Sequence, residues 1–466
     1  MQYINNISCI LVFAFLTFSM TIKGASNAIL FLMFITTLIY AIKFHKNNIQ
    51  TKISHNLRKF LICSFLIFSS PFILTFIQFI LGFPIKVNYF DSVLRFVLSA
   101  ACIFLLPFIN NTNNVNNVNN VNNTENNVIE KGLVGIILAA FGLGIWGYLS
   151  TNIPHFMWID SERAWNGFSN PIPYGLICIM FAMMALIFPF SIIQKYYKNC
   201  KFLKFLKFLQ SEQVFLSIKI LAFLAGLYGA YQSGSRIALL VFPLFIFVAV
   251  YTKTTLNKRQ KFLYLCGFLV LVSTPLLVFN NKFSNRIQDG FNDIEKYKSV
   301  QNINKETLSK NNNYNTSMGL RFVMWSEAMK IIKTDNNWIF GIGRSNFMPT
   351  MIKLHSEGKV VDEIRATPHP HSEYFNSFVE FGIFGLVSLL LIYLFPLLFY
   401  CNKRYLQHKD EAVKFAARSG IILSSGYTIA GIFDCYFWIV SLVNFYILTN
   451  VIFMSLILSK TAKLKE

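Results

Sequence analysis

The chain has 466 residues, 54% of them hydrophobic and 16% aromatic, with a mean hydropathy of +0.49 and a formal net charge of +21. That composition excludes an ordinary soluble domain, and its eight cysteines, with no CxxC spacing, argue against a disulfide framework or a zinc site. The basic excess falls in alternate short loops, so it reports membrane topology and not a nucleic-acid partner.

Twelve apolar runs follow one another at about 7–22, 25–42, 60–81, 93–109, 132–149, 171–193, 214–232, 237–251, 262–280, 375–400, 419–434 and 437–458. Most approach the roughly 17–25 residues that cross about 30 Å of hydrocarbon. They predict an all-α polytopic membrane protein with about twelve transmembrane helices. The first run lacks a charged n-region and a small-residue cleavage site, so it is expected to be a retained helix.

Lys43, Lys46, Lys52, Arg58 and Lys59 fill one loop, and Lys195, Lys198, Lys201, Lys204 and Lys207 another. Lys253, Lys258, Arg259 and Lys261 mark a third, and Lys403, Arg404, Lys409, Lys414 and Arg418 a fourth, while the tail adds Lys460, Lys463 and Lys465. The intervening short loops carry one basic residue or none. By the positive-inside bias both termini lie in the cytoplasm. The asparagine tract at 110–127 then reads as a cytoplasmic linker, too polar to order itself.

Three regions result. Residues 1–280 hold spans one to nine, 281–374 form a large outer loop, and 375–466 hold the last three spans and a cytoplasmic tail. The loop is polar through 317. Leu320, Val323, Met324, Ala328, Ile331 and Ile332 then recur at helical spacing, predicting an amphipathic helix from about Met318 to Ile332. A structureless loop of this length is unusual, so a mainly helical cap is expected.

The outer face collects His155, His355, His369 and His371 with Arg163, Arg236, Arg321 and Arg344. Ionisable groups at membrane edges are costly and point to function. In YQSGSRIALL, Ser233-Gly234-Ser235 breaks a helix and the next span begins at Arg236. A guanidinium beside the N–H groups of a new helix suits an anion; the alternative is an arginine that snorkels to headgroups. In TPHPHSEYF, Pro370 suits the first position of a helix, making His369 the cap and His371 a first-turn residue. The dipole would keep that imidazole neutral and able to accept a proton. The alternative is a histidine that only caps.

HSEYFNSFVEFG, a His-Ser pair followed by nine residues and Gly382, resembles the His-[Asn/Ser/Gln]-x9-Gly signature of bacterial O-antigen ligases. SGSRIALL is similar to the segment in which these enzymes and the O-antigen polymerases place an arginine between adjacent spans. LRFVMWSEAM followed by FGIGRSNF is similar to their Arg-x3-Trp…Gly-x-Gly pattern, and RAWNGFSNPIPYG to the ligases' Arg…Asn-Pro-Ile segment. The four motifs occur in family order over roughly 160–390; before residue 130 only the hydrophobic spans match.

The resemblance implies a glycosyltransferase of the Gram-negative inner membrane with its active site facing the periplasm. It would move a glycan from an undecaprenyl pyrophosphate donor to a sugar hydroxyl of lipid A–core, with inversion and with neither cofactor nor metal. His371 would be the catalytic base, and Arg236, Arg163 and Arg321 would bind the pyrophosphate. His369, Glu380 and Arg344 are secondary candidates. Membrane lipids are the remaining partners, and nucleic acid is not one. An O-antigen polymerase and a protein O-oligosaccharyltransferase of the same superfamily are the near alternatives. A twelve-span secondary transporter is the alternative from another class, against which no repeat between halves is evident.

Overall fold

A computed structural model describes residues 2–46, 54–106, 128–153, 163–197, 211–253, 257–264, 266–267, 317–358, 360 and 364–461. Among them every regular element is helical. Leaving aside helices of five residues or fewer, in chain order these are α1 (Gln2–Phe18), α2 (Ala25–Lys46), α3 (His55–Ile80), α4 (Tyr89–Ala101), α5 (Gly135–Asn152), α6 (Pro171–Leu186) and α7 (Phe190–Tyr197). Then come α8 (Glu212–Ser233), α9 (Arg236–Tyr251), α10 (Ser317–Lys333), α11 (Phe347–Ser356), α12 (Glu373–Tyr400), α13 (Glu411–Ala430) and α14 (Val440–Thr461).

Among the described residues six helical stretches are long and apolar enough to cross a membrane: α2, α3, Ile129–Asn152, α8, α12 and α14. Most of α1, with α6 and α9, is apolar but shorter. The runs read at 93–109 and 419–434 also become helices, but α4 has only 13 residues, and the 20-residue α13 carries Lys414, Arg418 and several serines. Burial, more than length, holds these two in the bundle. The run at 262–280, the tract at 110–127 and the polar part of the outer loop, 281–316, lie largely or wholly outside the described residues.

α14 is the axis of the bundle. Its apolar window is 89% buried, as expected of a helix hydrophobic all round. α2, α4 and α13 pack around it. Buried tyrosines tie it to α12: Tyr446 donates to the Ile392 carbonyl and Tyr400 to that of Asn450, both at 3.0 Å. A second group, α5, α6 and α8, packs through small residues, the usual means of close approach between membrane helices. A Cβ on Gly147 would lie 2.8 Å from Gly229 Cα, and one on Gly226 2.9 Å from the Cys178 carbonyl oxygen.

The expected amphipathic helix forms as α10. Met324, Ala328, Ile331 and Ile332 are buried with Phe347 and Met351 of α11 and Val379 of α12, while Leu320 and Val323 pack at the edge. This small second core seats α10 and α11 on the first turns of α12. At the other end of the bundle Lys460 pairs with Glu130 at 2.6 Å and Asp410 at 2.5 Å, and Lys195 reaches Glu130 at 3.4 Å.

Candidate active site

The break between α8 and α9 falls where Ser233-Gly234-Ser235 stands. Gly234 takes the left-handed conformation (φ +58°) that ends α8, and Ser235 caps α9 by accepting from the Ala238 N–H. Arg236 is therefore the first residue of α9, and it is exposed. The RAWNGFSNPIPYG stretch is the cradle of this turn. Arg163 Nε donates to the Ser233 carbonyl at 2.7 Å, the Ala164 N–H to that of Gln232 at 3.0 Å, and Ser235 Oγ to that of Ile172 at 3.1 Å. Gly175 faces the turn from α6, where a Cβ would sit 2.3 Å from Ser233 Oγ. Asn170 caps α6 by accepting from the Ile172 N–H at 2.9 Å. Two motifs distant in sequence thus form one scaffold that presents Arg236.

The Pro-His-Pro-His loop differs from its sequence reading. α12 begins at Glu373 with Ser372 as its N-cap, so His371 precedes the helix and does not lie in its first turn. The cause is the end of α13: the Gly431 carbonyl accepts the Glu373 N–H at 2.7 Å and Ser372 Oγ at 3.4 Å, starting the helix there. His371 adopts φ +48°, a conformation uncommon outside glycine. His369 stabilises it by accepting the His371 N–H on Nδ1 at 3.3 Å, with the two rings 4.6 Å apart. Trp438 packs edge-on against His369, with ring centroids 5.3 Å apart.

Strained, over-determined backbone of this kind clusters where geometry matters to function. The side chain of His371 meets Asp434, whose Oδ1 lies 3.0 Å from Nδ1. The Cys435 N–H donates to the same oxygen at 2.9 Å. Two residues one turn apart on α10 brace the two loops. Arg321 Nε donates to the Phe433 carbonyl at 3.1 Å, and Trp325 Nε1 to the Pro370 carbonyl at 2.9 Å. The Arg-x3-Trp spacing thus places one donor beside Asp434 and the other beside His371, since residues four apart share a helix face.

The electrostatics assign the protons. Burial, with the charge of His371, drives His369 down to about 4, so its ring is neutral near pH 7 and Nδ1 is free to accept. Burial pushes the Asp434 carboxyl up, but the His371 hydrogen bond and the charges of both imidazoles outweigh it, leaving the group below its ordinary value. An ionised Asp434 holds the Nδ1–H tautomer of His371 and leaves Nε2 as proton acceptor. Arg321, 9% exposed, is lowered by burial and by Arg236, while Asp434 opposes the shift. Arg236, Arg321, Asp434, His369 and His371 therefore share one field.

His369, His371 and Asp434 also present ligand atoms within 4.8 Å of one another, as a metal site would. Arg321 and Arg236 place positive charge against this group, which favours a proton relay or an anion over a second cation.

Arg344 and Glu380 come together elsewhere. Arg344 Nη1 lies 3.3 Å from Glu380 Oε2, Nη2 reaches Ser92 Oγ at 3.0 Å, and the Ser345 N–H donates to Glu380 Oε1 at 2.8 Å. The pair is almost fully buried, and it anchors the Gly-x-Gly loop to α12. That contact accounts for two glycines. Gly341 (φ +73°, ψ −169°) and Gly382 (φ +64°, ψ −152°) both occupy a region open essentially to glycine alone. A Cβ on Gly341 would meet the Glu380 oxygen at 2.3 Å, and one on Gly382 the Ile339 oxygen at 2.2 Å. The Gly-x-Gly and x9-Gly motifs are two sides of one backbone contact.

Asp434 escaped the sequence reading. Its signal was present, an acidic residue between two apolar runs in GIFDCYFWIV. His155 lies outside the described residues, and His355 stands in the last turn of α11.

Residues 221–390 match the family model described as O-antigen ligase. The matched stretch contains Arg236, Arg321, His371 and Gly382; Arg163 and Asp434 fall outside it. An uncharacterized protein of Haemophilus influenzae is 26% identical over 180 residues, which cover 38% of this chain and 42% of that protein. The chain thus aligns with less than half of the relative's length.

Proposed function

We propose that this chain, a member of the O-antigen ligase family by its match over residues 221–390, transfers a glycan from undecaprenyl pyrophosphate to a sugar hydroxyl of lipid A–core. The observation that carries the reading is the His371–Asp434 pair set in the field of Arg321 and Arg236. Outside the cytoplasm no ATP is at hand, so the donor must bring its own activation, and a pyrophosphate-linked glycan does.

In this reading the acceptor oxygen attacks the anomeric carbon and forms the new glycosidic bond. The bond from that carbon to the pyrophosphate oxygen breaks, and the acceptor's proton passes to His371 Nε2. Asp434 stabilises the imidazolium that results. Arg236 and Arg321 offset the charge growing on the leaving pyrophosphate, which is electrostatic stabilisation aimed at the transition state. Arg163 acts through the turn it braces and adds to the same positive field. A single displacement inverts the anomeric carbon. The fit of this chemistry to a site at helix ends follows from two lipid-borne substrates, and the charge distribution along the sequence supports a periplasmic face.

Deletion of the gene, followed by a lipopolysaccharide gel, tests the proposal. Core without a ladder, with full-length glycan accumulating on its lipid carrier, is the expected result. Core bearing a single repeat would identify a polymerase instead. An unchanged gel would contradict both.

A further inference from the structure

Glu373 opens α12 with a carboxyl group buried to 4% exposure. A glutamate in a first turn ordinarily serves the dipole of its own helix. This one also reaches another element: its Oε2 accepts the Phe437 N–H at 3.0 Å. Its own N–H donates to the Gly431 carbonyl at 2.7 Å. One residue thus holds both ends of the segment 431–437, and Asp434 is the middle residue of that segment.

Two residues earlier stands His371, whose ring meets Asp434 Oδ1 at 3.0 Å. The entry to α12 therefore grips one loop at three points, with the His371–Asp434 contact between the other two. The far end of the loop is itself anchored. The Phe437 ring packs 5.5 Å from the rings of Tyr393 and Tyr446 and 5.3 Å from that of Phe96. Against that anchor, the hydrogen bond between Phe437 and Glu373 sets how far the loop stands from the entry to α12. The Phe437 N–H is buried, so without this acceptor it would carry the full cost of an unsatisfied donor, and the loop would shift to relieve it. In the His-Ser-x9-Gly pattern, position 373 is one of the nine left open, so the motif gives this residue no role.

We propose that Glu373 is a positioning residue for the transfer reaction: its carboxyl group, by holding the Phe437 N–H, sets where Asp434 stands against His371. The inference rests on the glycan-transfer reading above and adds to it a residue that acts through Asp434 and not on the substrate. What the role needs is an acceptor of the right reach, and not a charge. A catalytic group misplaced by about 1 Å can cost on the order of a hundredfold in rate, so a residue of this kind shows itself in turnover.

The test measures transfer by full-length protein in nanodiscs from a labelled lipid-linked donor, with hydrogen exchange of the segment 431–437 read on the same samples. Glu373→Gln keeps an acceptor at the same reach and should turn over within about twofold of wild type. Glu373→Leu has no acceptor and Glu373→Asp falls one methylene short, so both should lose about 10–100-fold in turnover, with KM for donor and acceptor unchanged. In both, the amides of 431–437 should exchange at least about tenfold faster, and those of α14 as in wild type. Should the leucine variant not fold, the aspartate variant carries the comparison. In an Asp434→Asn background the same change at Glu373 should cost less than about threefold more, because the carboxylate it acts through is already gone. A glutamine variant as slow as the leucine or aspartate variant overturns the proposal. So does a full further loss in the Asp434→Asn background, or a raised KM at unchanged turnover. Exchange needs no turnover, so faster exchange in these variants of a protein inactive in transfer would refute the transfer reading and not the hold on the loop.

Discussion

Asp434 Oδ1 lies 3.0 Å from His371 Nδ1 across 63 residues of sequence, and α10 holds both loops by the backbone carbonyls next to them. The pair turns a strained surface histidine into an oriented base. Asp434→Asn would keep the size and lose the charge that selects the Nδ1–H tautomer. Transfer should fall by about 10²–10⁴-fold, the usual contribution of positioned proton transfer, with donor binding retained. Turnover and equilibrium donor binding, measured on the same preparation, check this; a loss of donor binding alone would make Asp434 a scaffold for Arg321.

His369 gives a pH prediction. Its folded value, about 4, lies below the ordinary 6.5, so the unfolded chain takes up the proton first as pH falls. Stability should be complete above about pH 6.5 and decline toward pH 4, by roughly 2–4 kcal/mol. Asp434, held low, keeps its own contribution until stronger acid. Thermal melts of wild type should fall across this window, and those of His369→Gln should be flatter. Parallel curves would show that His369 carries its proton inside the fold.

Arg236→Lys keeps the charge and loses the planar fork that grips two phosphate oxygens. With each charge-assisted contact contributing about 1.5–3 kcal/mol, KM for the donor should rise roughly tenfold or more, and further in Arg236→Ala. Wild-type kinetics in the lysine variant would mean that the exposed side chain only reaches for headgroups.

Gly382→Ala should destabilise by about 2–5 kcal/mol, because it combines a glycine-only conformation with a Cβ driven into the Ile339 carbonyl. Gly358 shares a positive φ, +67°, with nothing within 4 Å of an added Cβ, so Gly358→Ala should lose only about 1–2 kcal/mol. Melting temperatures of the two variants measure the difference, and equal losses would remove the steric explanation.

Most helices were legible because long apolar runs and lysine-rich loops are strong local signals. So was the start of α9 at Arg236, since Ser-Gly-Ser ends one helix and caps the next within four residues. The start of α12 was not, because Pro370 favours a helix three residues too early and the Gly431 carbonyl, brought in by α13, decides the matter. Arg163 was read as a ligand for phosphate; its Nε proves to be bound to the Ser233 carbonyl, a contact between segments 70 residues apart. Arg344 and Glu380 were singled out separately and turn out to face each other. Asp434 was missed for a related reason: the local pattern shows an acidic residue between two apolar runs, but its partner, His371, is 63 residues away in sequence.

The central claim is that His371 takes the acceptor's proton, and the direct measurement is transfer by purified protein from a labelled lipid-linked donor. His371→Ala should lose about 10²–10⁴-fold in turnover at unchanged donor binding and unchanged melting temperature. His369→Ala, which removes the brace and leaves the base, should be milder, and a chelator should have no effect. Near-normal turnover in His371→Ala would contradict the account, whatever the other variants do.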